Sequence, residues 1–329
     1  MDDRKKMTIK EKILGGLWGA VIGDALGVPV EFTNRQELKK HPVTSMRGYG
    51  TYNLPAGSWS DDSSLMLCTV ESLIHGFDID LTAKLFVRWY NEGFLTPWGV
   101  AFDIGRTTQL AIKRIIKGIP PHMAGGINEH DNGNGSLMRI LPVGIYFALK
   151  PASEILNAAH MMSSITHRHI RSQIACGFYC LMVSYLLRGF EPEQAYHYAI
   201  EQSYIQYSEP PYLIELTHFE RILKGDIEKL PEDEIQSGGY VINTLEAGIW
   251  CLLNSHTFTE AVLKAVNLGY DTDTTGIVTG GLAGVAYGID AIPDEWIKEI
   301  ARKEDIERLF GDFVDTITKN NACDKKCND

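Results

Sequence analysis

The sequence carries almost no β-strand signal. Alternation of apolar and polar residues with β-branched enrichment is confined to the stretch around Val43 to Tyr52, where Gly48, Gly50 and Pro55 point instead to a loop. A cysteine framework is also missing. Of six cysteines, Cys68, Cys176, Cys180 and Cys251 stand singly in apolar helical patterns, and Cys323 and Cys327 sit in a polar tail. That pattern excludes a disulfide-stapled secreted scaffold and suits reduced cytosolic thiols; two cysteines on a tail also fall short of a structural metal site. Positive charge is in deficit: 31 Lys plus Arg against 42 Asp plus Glu leave a formal charge of -11, which argues against a nucleic-acid groove built on general basic attraction. The uncharged run from Thr274 to Ile289 is shorter than the roughly 20 apolar residues a membrane span needs, and its glycines suit a buried helix. The charged opening Met1 to Lys6 and the interruption by Glu11 and Lys12 do not match a secretory signal, so a cytoplasmic protein without membrane contact is the expectation.

What is present is helical periodicity. Apolar residues recur three and four apart in Leu65 to Ile74, Leu81 to Tyr90, Ala111 to Ile116, Ile170 to Leu187, Val241 to Leu253 and Ala261 to Val266. No linker composition divides the chain. A single all-α domain over residues 1–318 follows, with a polar C-terminal tail over 319–329.

Glycines recur in the same register. Gly15, Gly19, Gly23 and Gly27 stand four apart, as do Gly276, Gly280, Gly284 and Gly288, each set in an otherwise apolar helix. Each glycine costs a helix about 1 kcal/mol relative to alanine, so four on one face imply compensating close contacts. Either each row touches something different, or the two rows interlock, as ridges spaced four apart do in the commonest helix crossing.

Acidic residues mark two helix starts. Ser60-Asp61-Asp62-Ser63 precedes the apolar helix near Leu65, and Asp271-Thr272-Asp273-Thr274-Thr275 precedes the second glycine row. Either could be simple capping, because serine and aspartate accept the unpaired amides of a first turn. Together they bring four carboxylates and several hydroxyls, hard oxygen donors that suit Mg²⁺ or Mn²⁺ better than zinc. Should the glycine rows pair antiparallel, Glu31 joins the same cluster.

These residues, in order, resemble the ADP-ribosylglycohydrolase family, from Leu14 to about Phe313. The resemblance rests on Gly19-Ala20-Val21-Ile22-Gly23-Asp24-Ala25-Leu26-Gly27, Glu31, Trp59-Ser60-Asp61-Asp62, Asn134-Gly135-Ser136-Leu137-Met138-Arg139, Thr166-His167, and Asn267 through Gly276. It implies a compact orthogonal multi-helix domain holding two Mg²⁺ or Mn²⁺ ions. Ser60, Asp61, Asp62, Asp271, Asp273 and Thr274 would be the ligands, with Glu31 a ligand or gate. Asp62, Asp273 and Glu31 would carry catalysis: the metals would grip the distal ribose and activate a water. Asn134, Gly135, Ser136, His167 and Tyr270 would bind substrate. Two departures from the pattern stand out, Ser60 and Ser63 for threonine and Tyr270 for glycine or aspartate, and the second leaves acceptor preference open.

The stretch Asn132 to Ser136 is expected to open a helix running towards Tyr146, whose N-terminus would favour a pyrophosphate. Arg139 could pair with phosphate or brace acids in the core. Thr166 to His169 is expected to begin another helix, with His167 on phosphate or ribose, His169 structural, and an unperturbed imidazole titrating between about pH 5 and 8. Asp24 would orient the metal shell or a loop. The expected function is metal-dependent removal of ADP-ribose from protein side chains, arginine first. Alternatives are an O-linked serine or small-molecule ADP-ribosyl substrate, or an immunity protein acting against an ADP-ribosylating toxin.

Overall fold

The computed structural model describes residues 7–326, with side chains to residue 319. Residues 1–6 of the charged opening, the Cys323 side chain and Cys327 lie outside the described residues. Two antiparallel helices, Ile9–Gly27 and Thr272–Tyr287, form the centre. The first starts at a reciprocal cap, in which the Glu11 amide donates to Thr8 Oγ1 (3.2 Å) and the Thr8 amide donates to Glu11 Oε2 (2.6 Å). Almost all of it is then buried, with no polar face.

The two glycine rows interlock. A Cβ added to Gly15 would lie 2.3 Å from the Gly284 carbonyl oxygen, and one on Gly19 would lie 2.4 Å from that of Gly280. Backbones therefore touch where side chains would stand, and dispersion contacts between them offset the helix cost of glycine. Gly288 differs from the expectation: the helix ends at Tyr287, and Gly288 caps it at φ 78°, a backbone that glycine adopts most readily, with its amide on the Gly284 carbonyl (2.9 Å).

Helices Asp61–Ile74, Ile170–Leu187, Val241–Leu253 and Phe258–Asn267 pack around this pair. Tyr179, fully inside, donates its hydroxyl to the Val278 carbonyl (3.0 Å) and so ties the Ile170–Leu187 helix to the central one. The last helix, Lys303–Lys326, closes the core through Phe310, edge-on to Trp18 at 5.3 Å, and carries on through residues 319–326. The segments Ile9–Val30 and Ile170–Leu187 are long and apolar enough to cross a membrane, yet 89% of each window is buried inside the molecule. Among the described residues there are no strands, only isolated bridges at Gly126 with His167 and Gly133 with Tyr240. Cys68, Cys176, Cys180 and Cys251 are buried free thiols.

Candidate active site

The glycine ridge ends where the acidic site begins. A Cβ on Gly27 would lie 2.3 Å from the Asp273 amide nitrogen, and Thr272 Oγ1 donates to the Gly27 carbonyl (2.8 Å). One 3₁₀ turn past Gly27 the chain reaches Glu31, which thereby stands beside the second acidic motif. Glu31, Asp271 and Asp273 each bring a carboxylate oxygen within 4.8 Å of the others. Asp61 and Asp62, at the start of the Asp61–Ile74 helix, line the same cleft, which encloses 730 Å³.

Asp24 sets the first motif in place. Its buried carboxylate accepts from the Ser60 amide (3.0 Å) and the Ser63 amide (2.9 Å), so an acid from the first helix caps another helix across the core. Burial pushes Asp24 up to about 6 despite these bonds. Ser60 is itself the N-cap, accepting from the Asp62 amide (3.2 Å). Capping thus frees the side chains of Asp61 and Asp62 to face the cleft. On the second motif, Asn134 Nδ2 donates to Asp271 Oδ2 (2.8 Å) and to Thr244 Oγ1 (2.9 Å), which orients Asp271.

The electrostatics of this cluster call for a counter-charge. Burial first, and the charges of neighbouring carboxylates next, hold Asp61, Asp62 and Asp273 well above the usual carboxylate range. Asp62 Oδ2 and Asp273 Oδ2 are buried without a hydrogen-bond partner. The orphaned Asp273 carboxylate converges with Glu31 and Asp271, Asp62 lines the same cleft, and such oxygens are the donor set of a hard divalent cation, so the residues fit a metal.

Two neighbours carry no signal in the sequence. Tyr52 places its hydroxyl 2.7 Å from Glu31 Oε2 and 2.6 Å from Asp103 Oδ1. It has one proton to donate, so both short contacts are satisfied only when a carboxyl carries a second. Burial, with the adjacent Asp103 charge, pushes Glu31 up to about 9, in keeping with a proton shared within this group. Asp103 reaches this position through a left-handed backbone (φ 57°) in a loop with no helical period. Only a rare aspartate turn could have signalled it.

The far end of the cleft has another character. Arg106, Arg114, Asn128, His130, Gly133, Gly135 and His167 line it, with one acid, Asp131, close to Arg114 and His167. The loop is pinned by pairing: the Asn134 amide donates to the Gly239 carbonyl (3.0 Å) and the Val241 amide to that of Asn132 (3.0 Å). Gly135 is required here, because a Cβ would lie 2.8 Å from the His167 ring and 3.0 Å from Thr108 Oγ1.

Several expectations are corrected. Residues 135–139 are turns and the helix begins only at Leu141, so no helix N-terminus points from Gly135 or Ser136. Ser136 faces the core, where its hydroxyl accepts from Ser163 Oγ (2.9 Å) and does not line the cleft. The helix placed at Thr166 starts at Ile170, with His169 as its N-cap accepting from the Arg171 amide (3.2 Å). Burial, helped by the Arg139 charge, pushes His167 down to about 3, which moves its titration out of the expected range. Arg139 does not line the cleft and pairs with no acid among the described residues: fully buried over the Phe86 ring, it donates to Thr166 Oγ1 (2.8 Å) and the Met162 carbonyl (3.2 Å). It braces the segment carrying His167, whose Nδ1 is 2.9 Å from Thr166 Oγ1. Tyr270 lies on the outer side of the rim, in a neighbouring groove with Asn34, Arg35 and Gln236.

An all-helical frame that gathers carboxylates at one end of a cleft and arginine, histidine and open glycine backbone at the other is built to hydrolyse an anionic glycoside. The chain belongs to the ADP-ribosylglycohydrolase family, whose model matches residues 5–323. Among curated relatives, ADP-ribosylarginine hydrolase Tri1 of Serratia proteamaculans is 34% identical over 91% of this chain and 78% of its own length. The ADP-ribosyl-[dinitrogen reductase] glycohydrolase of Rhodospirillum rubrum is 27% identical over 94% and 96%. A solved structure described as an ADP-ribosylglycohydrolase-related protein complex superposes with TM-score 0.79 at 30% identity, covering 94% of this chain and 99% of that one. The chain is therefore a glycosidic bond hydrolase of ADP-ribosyl groups.

Proposed function

We propose that the chain cleaves the N-glycosidic bond between ADP-ribose and an arginine side chain of a protein, with two Mg²⁺ or Mn²⁺ ions. The observation that carries this reading is the uneven lining of the cleft, where Glu31, Asp61, Asp62, Asp103 and Asp271 gather on one side and Arg106, Arg114 and His167, with a single acid Asp131 beside them, on the other. A pyrophosphate suits the second end, and the distal ribose with its scissile bond then lies at the carboxylates. The names of the Serratia relative and of a second Tri1 from Pseudomonas putida favour arginine as the acceptor.

Ser60, Asp61, Asp62, Asp271, Asp273 and Thr274 would hold the cations, with Glu31 beside them. Bound there, divalent cations lower the pKa of water and offset charge developing near the anomeric carbon. The chain itself does the rest. Asn134 fixes Asp271, Asp24 fixes the turn that presents Asp61 and Asp62, and neutral His167 offers one ring nitrogen to the nucleotide. Water attacks the anomeric carbon, the bond to the guanidine nitrogen breaks, and that nitrogen takes up a proton. The Glu31, Tyr52 and Asp103 contacts form a proton-holding chain beside the departing group.

The test is release of ADP-ribose from arginine-linked and serine-linked substrates in Mg²⁺, Mn²⁺ or chelator. Faster release from arginine that chelator abolishes supports the reading. Preference for serine, or indifference to chelator, overturns it.

A further inference from the structure

Phe32 and Tyr270 are 69% and 52% exposed on the two sides of one rim, Phe32 lining the cleft and Tyr270 the groove beside it. Phe32 lines the cleft next to Glu31, and Tyr270 precedes Asp271. Both hold left-handed backbones, φ 65° and 63°, a conformation aromatic residues rarely adopt. They are tied together. The Phe32 amide donates to the Tyr270 carbonyl (2.6 Å), and the Tyr270 amide donates to that of Thr33 (2.7 Å). Arg35 anchors the pair from behind, donating Nε to the Leu268 carbonyl (2.8 Å) and its terminal nitrogens to the carbonyls of Glu232 and Ile235. Strained backbone so firmly overdetermined is a feature of sites where the strain serves function, and neither ring is spent on the core.

We propose that Phe32 and Tyr270 form an aromatic lip that receives the guanidinium side of the target, and so determine acceptor specificity. This rests on the arginine reading above. Geometry assigns the occupant. If the anionic half of ADP-ribose lies towards Arg114 and His167, with the distal ribose at the carboxylates, only the acceptor remains to emerge at Phe32. Asp103, which is outside the cation-holding set, lines the same cleft and favours a cationic acceptor over an anionic one. An aromatic face beside carboxylates recognises a planar cation, by cation–π contact and charge together. A serine acceptor offers no such group.

The test compares wild type with Phe32→Leu, Phe32→Tyr and Tyr270→Ala, using an arginine-linked ADP-ribosyl peptide for kinetics and free ADP-ribose for calorimetry. The aromatic face is expected to be worth about five-fold in KM, seen as a rise in Phe32→Leu and in Tyr270→Ala and retained by Phe32→Tyr. The ADP-ribose Kd should stay within about two-fold throughout, since the lip meets only the acceptor. Unchanged KM in both Phe32→Leu and Tyr270→Ala overturns the lip. So does an ADP-ribose Kd that weakens as much as KM, because the rings would then be touching the nucleotide. Failure of the arginine reading shows separately, as wild type that releases nothing from the arginine peptide. Both side chains are exposed, and melting temperatures check that each variant is folded.

Discussion

Gly23 and Gly276 face each other across the molecular centre, each holding its carbonyl oxygen where the other's side chain would begin. A Cβ on Gly23 would lie 2.0 Å from the Gly276 oxygen, and one on Gly276 would lie 2.2 Å from the Gly23 oxygen. Neither atom is the end of a flexible side chain, so neither can give way. The same reciprocity at Gly19 and Gly280 predicts that Gly19→Leu or Gly280→Leu costs more than the roughly 3 kcal/mol at the upper end of ordinary overpacking. Gly311 is the control. Exposed in the last helix with nothing near its missing Cβ, it should gain up to about 1 kcal/mol on change to alanine. Thermal unfolding of the three variants decides; unchanged melting of both leucine variants would refute a tight ridge.

Asp62→Asn and Asp273→Asn keep side-chain volume and remove one buried charge each. Turnover on an arginine-linked substrate should fall at least about 100-fold, because an amide cannot replace the orphaned anionic oxygen at a metal. Without metal, the melting temperature should hold or rise, since burial and neighbouring charge disfavour the ionised acid. Activity within a few-fold of wild type at saturating metal would sink the ligand assignment.

The ridge and both acidic motifs were legible in the sequence because each is a local pattern: a period of four, or acids before an apolar helix. Their convergence followed once the rows were paired antiparallel, and so did the place of Glu31. Tyr52 and Asp103 were not legible, for they lie in loops without period and meet Glu31 only through tertiary contacts. Arg139 shows the limit of reading charge as function, since Phe86 and Thr166 come from separate parts of the chain. The helix expected at Gly135 failed for a local reason: Leu137, Met138 and Ile140 close tight turns before Pro142 opens the helix proper.

Metal removal should expose the strain in the acidic cluster. Asp24 is pushed up to about 6 and Glu31 to about 9, both chiefly by burial, so the metal-free folded chain keeps protons that the unfolded chain releases near pH 4. For a raised folded pKa the stabilising contribution is complete below the unfolded value and is lost as pH rises through the folded one. Chelated protein should therefore lose melting temperature from about pH 5 to 9, and added Mg²⁺ or Mn²⁺ should restore more at the alkaline end. A metal-induced shift that is larger at acid pH would contradict this.

The last prediction separates the two ends of the cleft. ADP-ribose reaches both the carboxylates and the Arg114 and His167 end; AMP carries a phosphate but no distal ribose and reaches only the second. Metal at the carboxylates should thus strengthen ADP-ribose binding and leave AMP nearly unchanged, and ADP-ribose should protect the protein thermally mainly when metal is present. His167 adds a pH signature. Burial pushes its imidazole down to about 3, so the ring is neutral in the folded protein over the whole physiological range, and its titration should leave AMP affinity flat between about pH 6.5 and 8. The unfolded chain takes up that proton near pH 6.5, so this histidine withdraws stability as pH falls from there towards 3, the sign opposite to that of Asp24 and Glu31. His167→Gln should remove that acid-side loss. Calorimetric titration of both ligands with and without Mg²⁺ or Mn²⁺ reads the first part, and acid unfolding of the variant reads the second. Equal metal dependence for AMP and ADP-ribose would show that the distal ribose is not held at Asp62 and Asp273.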